Sequence, residues 1–187
     1  MKKILIIITT SILCLSLLAG CGKSNTDTSN NEKDLNKETT DVVTTASIVN
    51  NEEAFEKAIS KDGTWIIAIL KDLNINKDLV LDGDFKNGKK DDKGNEIYQR
   101  KIALYSQDSD KNVTDRYTLT ATKLTINSVN ARIQSGTFKG DVYVSAKNFE
   151  LVDAKVDGNI YFTNDDAKTT FKMDDKSSVT GKQELKK

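Results

Sequence analysis

The side chains in this sequence best suited to chemistry are carboxylates. Aspartates fall close together at Asp82 and Asp84, Asp91 and Asp92, Asp108 and Asp110, Asp165 and Asp166, and Asp174 and Asp175. Such clusters can supply the oxygen ligands of a calcium ion. Set ~5–9.5 Å apart across a cleft, a carboxylate pair can also act as the acid and base of glycoside hydrolysis. The sequence meets neither pattern. Read as a calcium loop from Asp82, it has Lys86 at the fifth position, Asn87 where glycine is needed, and Lys93 where a bidentate glutamate belongs. The clusters lie in polar, lysine-containing stretches that read as solvated loop, and context singles out no carboxylate pair. Nothing marks a serine or lysine as a nucleophile, and there is no phosphate loop or dinucleotide fingerprint. The expectation is a non-catalytic chain with no cofactor.

The other donors point the same way. There is no histidine, and the two cysteines are Cys14 and Cys21, so the usual zinc and transition-metal ligands are lacking and no metal site is expected. The charge is balanced, with 28 basic and 28 acidic residues. That balance gives no electrostatic case for nucleic acid as a partner.

The elements that would position a site begin after a targeting segment. Met1-Lys2-Lys3 precedes an almost wholly apolar run, ILIIITTSILCLSLL, from Ile4 to Leu18. This is the n-region and h-region of a secretory signal, and it falls short of the ~20 apolar residues of a membrane-spanning helix. The run ends Leu18-Ala19-Gly20-Cys21, which resembles the lipobox of bacterial lipoproteins. The resemblance implies cleavage between Gly20 and Cys21 and a thioether-linked diacylglycerol on Cys21, with a further acyl chain often added to the new amino group. Two or more acyl chains anchor stably, so the expected location is the extracytoplasmic face of a membrane. Cys14 would leave with the signal, so the mature chain could form no internal disulfide. It would carry 26 basic against 28 acidic residues, Lys2 and Lys3 being removed.

Three regions follow: the signal over 1–20, a lipidated tether over 21–47 and a folded domain over 48–187. The tether is polar, rich in Asn, Thr, Asp and Lys, and has no apolar period with which to bury surface. A flexible chain of that length spans roughly 25–30 Å on average. The 140 residues that remain suffice for one core of ordinary size.

Within the domain the chain repeats. Residues 124–138 set over 142–156 bring Leu124 onto Val142, Ile126 onto Val144, Ala131 onto Phe149, Ile133 onto Leu151 and Phe138 onto Val156, an offset of 18 residues. Gly140 then falls on Gly158. A third copy holds Ile160 and Phe162, takes a four-residue insertion around Asn164-Asp165-Asp166, and resumes at Phe171 and Met173; after one more inserted residue before Val179, Gly181 takes the place of Gly158. Each copy contains short apolar–polar–apolar segments, which read as strands with one buried face. Strands too short to make a sheet alone, recurring at a fixed period, predict a solenoid whose turns stack on one another. The fold expected is all-β: a single-stranded parallel β-helix with an N-terminal capping α-helix. The competing arrangement, an antiparallel sandwich, has no need of an 18-residue register kept at five apolar positions.

Outward positions fit the stacking. Residues one repeat apart would sit about 4.8 Å from each other, which forms a charge ladder of Arg132, Glu150 and Lys172 and sets Lys139 beside Asp157. Earlier strands are expected at 65–70, 73–75, 79–81, 101–104 and 117–119, with polar loops over 85–96 and 107–115 leaving the coil. Asn51 as cap, Glu52 and Glu53 in the first turn and Gly63 beyond the end predict a helix over 50–59 with Ala54, Phe55, Ala58 and Ile59 on its apolar face. It would cover the open end of the solenoid. At the other end Gln183 stands where Val142 and Ile160 stood, and Lys182, Lys186 and Lys187 would discourage pairing at the free edge.

The run GTFKGDVYVSAKNFELVDAKVDGNIYF, residues 136–162, resembles the rungs of bactofilins, polymer-forming β-helix proteins of bacteria, in its glycine–apolar spacing. The likeness covers about 120–187. It departs from that family in the export signal, the lipobox and the capping helix, because bactofilins are cytoplasmic and flanked by disordered tails. The helix-then-coil layout of 50–85 also resembles pectate-lyase-like β-helices. These likenesses imply a fold, and fold does not give function.

One outward line has a composition suited to binding. Thr125, Tyr143 and Tyr161 each lie between two buried apolar residues, so the tyrosines should stack on adjacent turns. Exposed aromatic pairs meet sugar rings or partner surfaces; cross-strand packing is the competing role. The expectation is a lipid-anchored binding or structural module of the cell envelope, its partner a cell-wall glycan or an envelope protein. A polysaccharide lyase or hydrolase, or a bactofilin-like self-polymerising scaffold, is the alternative.

Overall fold

The computed structural model describes residues 46–186. The signal, the cleavage point, Cys21 and the tether up to residue 45 lie outside the described residues. The chain opens with β1 (Ala46–Ile48), α1 (Glu52–Ile59), β2 (Ile66–Ala68) and β3 (Leu73–Leu81). β4 (Lys86–Lys90) and β5 (Glu96–Tyr98) form an antiparallel hairpin. β6 (Arg100–Ala103) follows, and then a second hairpin of β7 (Tyr105–Gln107) and β8 (Val113–Arg116). Next come β9 (Thr118–Ile126), β10 (Ala131–Gln134), β11 (Thr137–Val144), β12 (Glu150–Val152), β13 (Lys155–Asp157) and β14 (Ile160–Phe162). α2 (Asp165–Thr170), β15 (Lys172–Met173), β16 (Ser178–Val179) and β17 (Gln183–Leu185) complete the described chain.

Apart from the hairpins the architecture is all-β and parallel. One sheet runs β1-β2-β6-β10-β12-β15. In the other, β3 pairs with β9 and β9 with β11; β13 and β14 pair with the two halves of β11, and β16 and β17 pair with those in turn. The chain passes back and forth between the two sheets. Thr137, Phe138 and Lys139 lie beside Lys155, Val156 and Asp157, and Val142 and Val144 beside Ile160 and Phe162, each pair 18 residues apart. Ile133 lies beside Leu151 at the same offset. Past the insertion, Leu151 pairs with Met173 and Val156 with Val179.

This register stacks like side chains into inward columns. Ile67, Ile102, Ile133 and Leu151 form one on the first sheet, and Leu79, Leu124, Val142 and Ile160 one on the second. All of these are buried in a single hydrophobic cluster. Each buried aliphatic side chain contributes about 1.5–3 kcal/mol relative to exposure, so a slip of one residue, which would turn the columns outward, is strongly disfavoured.

Polar and glycine positions keep the corners aligned. Asn130 and Asn148 both adopt the left-handed conformation (φ 53° and 59°), as do Ser135 and Asp153 (54° and 52°). Asn148 Nδ2 donates to Asn130 Oδ1 (2.9 Å) and Asn130 Nδ2 to the Tyr98 carbonyl (2.7 Å), a side-chain ladder up one corner. At the Gly140–Gly158 corner the backbones approach too closely for any side chain. A Cβ on Gly158 would lie 2.0 Å from the Gly140 carbonyl oxygen, and one on Gly140 2.1 Å from that of Ala121, at φ +140°.

The helix over 50–59 forms as its signals predict. Asn51 Oδ1 accepts from the Ala54 amide (2.8 Å), Glu52 and Glu53 occupy the first turn, and Phe55, Ala58 and Ile59 are buried in the core with residues of β2 and β3. Several finer expectations are corrected. The polar segments 85–96 and 107–115 are hairpins, not loops. In each an aspartate organises the turn: Asp91 Oδ1 accepts from the Lys93 and Asn95 amides (2.9 and 2.8 Å), and Asp108 Oδ1 from those of Asp110 and Asn112 (2.9 and 2.8 Å). Gly94 and Lys111 take the left-handed position that closes each turn (φ 83° and 68°). The segments 73–75 and 79–81 are one strand, β3, with an irregularity between Ile75 and Asp78. Parallel pairing begins at Ala46, beside Ile66, two residues before the expected domain boundary. The insertion near Asn164 is the one-and-a-half-turn helix α2, with Asn164 Oδ1 accepting from the Ala167 amide (2.8 Å). Gln183 falls beside Ile160 as matched, in β17 bonded to β14, but the apolar pattern does not stop there, since Leu185 packs against the core.

The second hairpin covers part of the outer face of the first sheet. Ile66, Ala68, Ala103 and Tyr105 form a separate buried cluster there, flanked by Trp65 and Val113. On the inner face sits Arg100, fully buried. Its Nη2 donates to the Ala58 carbonyl (2.8 Å), and its Nη1 donates to the carbonyls of Asp82 and, at 3.3 Å, Ser60. The guanidinium lies 4.2 Å from the centre of the Phe85 ring. Burial pulls its pKa down to about 10, so it remains a cation at neutral pH, set against the last carbonyls of α1 where a positive charge is favoured.

Candidate functional site

The strands of the second sheet present one outward line across five neighbours. Val80, Thr125, Tyr143, Tyr161 and Glu184 lie side by side on β3, β9, β11, β14 and β17. Inward neighbours on β3, β9, β11 and β14, such as Val142 and Val144 about Tyr143, are buried, and the strand alternation therefore forces this line to the exterior. The three residues singled out in the sequence are brought together. Thr125, Tyr143 and Tyr161 are consecutive on the line, each half-buried, and the two tyrosine rings meet at 5.0 Å between centres with a 44° tilt. Val80 at one end is 43 % exposed, so the line continues an apolar surface beyond the tyrosines.

Two lysines complete the surface, and the sequence reading missed both. Lys186 lies 4.5 Å from the Tyr161 ring centre and 5.4 Å from that of Tyr143, and its Nζ donates to Tyr143 Oη (3.2 Å). The bond to Tyr143, then the charges of nearby groups including Asp141, hold the Lys186 ammonium above the ordinary lysine range. Lys123 lies 5.6 Å from the Tyr143 ring and pairs with Asp78 at 2.7 Å. Asp141, two residues before Tyr143, accepts from the Asn159 amide (2.9 Å) and from Asn159 Nδ2 (2.8 Å). The signal for these groups was positional: Lys123 and Asp141 share strand parity with Thr125 and Tyr143, and Lys186 with Glu184.

Several of the clustered aspartates take structural duties. Asp91 and Asp108 hold their turns, and hydrogen bonds from Asn95 and Asn112 respectively keep both carboxyls below the ordinary aspartate range. Asp165 and Asp166 lie in the first turn of α2, where the helix dipole favours negative charge. Asp82 accepts from the Gly83 amide (2.8 Å), and Asp174 accepts from the Asp153 amide (3.0 Å). Among the described residues no three carboxylate, cysteine or histidine side chains are arranged to hold a metal ion.

Two concavities lie elsewhere. One, of about 320 Å³, is bordered by Arg116, Thr137, Asp153, Lys155 and Lys176, with Arg116 bound to Asp153 at 2.6 Å. The other, of about 360 Å³, lies between β1 and α1, lined by Ile48, Val49, Ala54, Lys57 and Ala58. Both lie at the lower end of the ~300–1,000 Å³ typical of ligand pockets. No helix among the described residues is long and apolar enough to cross a membrane. No protein-family model, curated protein or solved structure matches this chain.

Proposed function

We propose that this chain is an exported lipoprotein, cut before Cys21 and held by lipid on the extracytoplasmic face of a membrane. Its folded part serves there as a non-catalytic binding or structural module of the envelope, and the Thr125–Tyr143–Tyr161 line is its contact surface for a cell-wall glycan or an envelope protein. The Leu18-Ala19-Gly20-Cys21 motif supports the location. The folded part is read as a single-stranded parallel β-helix. Passage of the chain between two parallel sheets, the 18-residue offsets and the shared core support that reading. On it, α1 caps the first turn, and Phe171, stacked on Phe149 (5.7 Å) and tilted against Phe162 (5.4 Å), plugs the last.

The observation that carries the binding role is the in-register tyrosine pair on an outer face. Aromatic rings there have no fold-level need to be outside, and they offer an apolar body with a polar tip. The structural duties of Asp91, Asp108 and Asp174 favour this over a polysaccharide-cleaving enzyme, which needs carboxylates free to exchange protons. The test is co-sedimentation of the full chain with purified envelope polysaccharide. Wild type is expected in the pellet and the Tyr143→Ala, Tyr161→Ala double variant in the supernatant; equal pelleting would remove the tyrosine line from the proposal.

One observation favours a second reading, self-assembly end to end. β1 and the β15–β17 group are the outermost strands of their ladders, and parallel edges of this kind can pair with another chain. Sedimentation velocity across a wide concentration range, with electron microscopy of the same samples, separates the two: filaments support a scaffold, a monomer removes it.

A further inference from the structure

The tyrosine pair already holds a cation. The Lys186 ammonium lies over Tyr161, reaches Tyr143 Oη, and belongs to an exposed side chain just after the edge strand β17. Ring faces attract ammonium groups through the aromatic quadrupole, most strongly where water is partly excluded, and both rings here are half-buried.

The surrounding charge has the matching sign. Lys123 is neutralised by Asp78 at 2.7 Å. Of the remaining charges, Asp141 shares the outward side of β11 with Tyr143, and Glu184 is the register neighbour of Tyr161. With Lys186 swung away, the Tyr161 face would be left without its cation and beside the Glu184 carboxylate, while Lys123, paired with Asp78, stays 5.6 Å from the Tyr143 ring. A neutral sugar platform needs no such charge, and an anionic ligand would be repelled by it.

We propose that the Tyr143–Tyr161 surface is a recognition site for a primary ammonium carried on a sugar ring, that is, a de-N-acetylated amino sugar of a glycan, and that Lys186 is its built-in competitor. The ligand ammonium takes the position of the Lys186 Nζ over Tyr161, its sugar ring lies against the aromatic faces, and Asp141 and Glu184 supply the counter-charge. Lys186 then moves to solvent. This rests on the tyrosine line being a glycan-contact surface and names the glycan chemistry it selects.

The experiment is calorimetric titration of the full chain with a β-linked glucosamine oligomer and, separately, with the N-acetylglucosamine oligomer of the same length, backed by chemical-shift mapping of both tyrosines. Wild type should bind the glucosamine oligomer at least tenfold more tightly than the acetylated one. Lys186→Gln, which keeps the stem and removes the competing charge, should tighten glucosamine binding severalfold. Tyr161→Ala should abolish it, with a circular-dichroism spectrum unchanged from wild type confirming the fold; Tyr161→Phe, which keeps the ring, should retain it. Equal affinity for the two oligomers at the tyrosines would overturn the ammonium inference and leave the glycan-contact reading standing. Weaker glucosamine binding in Lys186→Gln would overturn the competitor role. No shift of either tyrosine with either oligomer would overturn both the inference and the glycan reading beneath it.

Discussion

Arg100 offers the sharpest mechanical test of how α1 is held to the end of β3. Replacing it with methionine keeps much of its apolar volume and removes the guanidinium. Two of its bonds, to the carbonyls of Ala58 and Asp82, are close, and the third, to Ser60, is long. Hydrogen bonds from a charged donor contribute about 1.5–3 kcal/mol each, so the two close ones come to about 3–6 kcal/mol. Against this stands the Nε that finds no partner, a buried unsatisfied donor that costs about 1–3 kcal/mol. The balance is a loss of about 3 kcal/mol for Arg100→Met. With a urea slope of about 2 kcal/mol per molar for a domain of this size, the unfolding midpoint should fall by about 1.5 M. Hydrogen exchange locates the effect: the Asp82 amide, bonded to the Ile59 carbonyl at 3.0 Å, should lose protection before the amides of β11. Arg100→Lys should fall between the two, since one ammonium cannot span the carbonyls that the guanidinium does. A methionine variant within about 0.5 kcal/mol of wild type would refute the reasoning, because buried charges can be replaced by hydrophobic groups at no loss when their bonds contribute nothing net.

Other perturbations test the register and the turns. Gly158→Ala sets a methyl 2.0 Å from the Gly140 carbonyl oxygen; overpacking of this kind costs about 1–3 kcal/mol, read as a lowered melting temperature, and an unchanged one would contradict the close approach. The Arg132–Glu150 pair, 2.6 Å apart and one repeat apart in sequence, should show a double-mutant coupling of about 0.5–1 kcal/mol that shrinks in high salt; zero coupling at low salt would count against the ladder. Asp91 and Asp108 have carboxyls held below the ordinary 3.8, so their contribution to the turns is complete above pH 4 or so and is lost as pH falls through the lower folded values. Amide shifts of Asn95 and Asn112, followed by NMR, should therefore titrate with midpoints below 3.8, and midpoints above it would refute the hydrogen-bond assignment.

Much of this architecture was legible wherever burial imposes a period. The pairs Leu124–Val142, Ile126–Val144 and Phe138–Val156 could be matched because the inner columns require an apolar residue at each level, and Thr125, Tyr143 and Tyr161 followed from strand parity alone. The hairpins were not legible, because their pairing rests on side-chain bonds at Asp91 and Asp108 in segments with almost no apolar alternation. A shared feature was present nonetheless: both turns run from aspartate to asparagine four residues on, Asp91 to Asn95 and Asp108 to Asn112. Arg100 was hidden by its type. Its parity with Ile102 and Leu104 assigns it to the inner face, but a charged residue between Gln99 and Lys101 reads as solvated unless its carbonyl partners, remote in sequence, are known. Lys186 was missed because its place depends on side-chain reach across two strands, which no register of backbone positions contains.

Everything proposed about partners depends on where the molecule works, and that turns on Cys21. The decisive measurement is intact-mass and N-terminal peptide mass spectrometry of the full chain expressed in a bacterium with its own leader, compared with Cys21→Ala. The expected result is a membrane-fraction protein that begins at Cys21 and carries a thioether-linked diacylglycerol, with the variant unlipidated and uncleaved at that point. A protein that retains residues 1–20, or one with a free thiol at Cys21 in the soluble fraction, would contradict the envelope role.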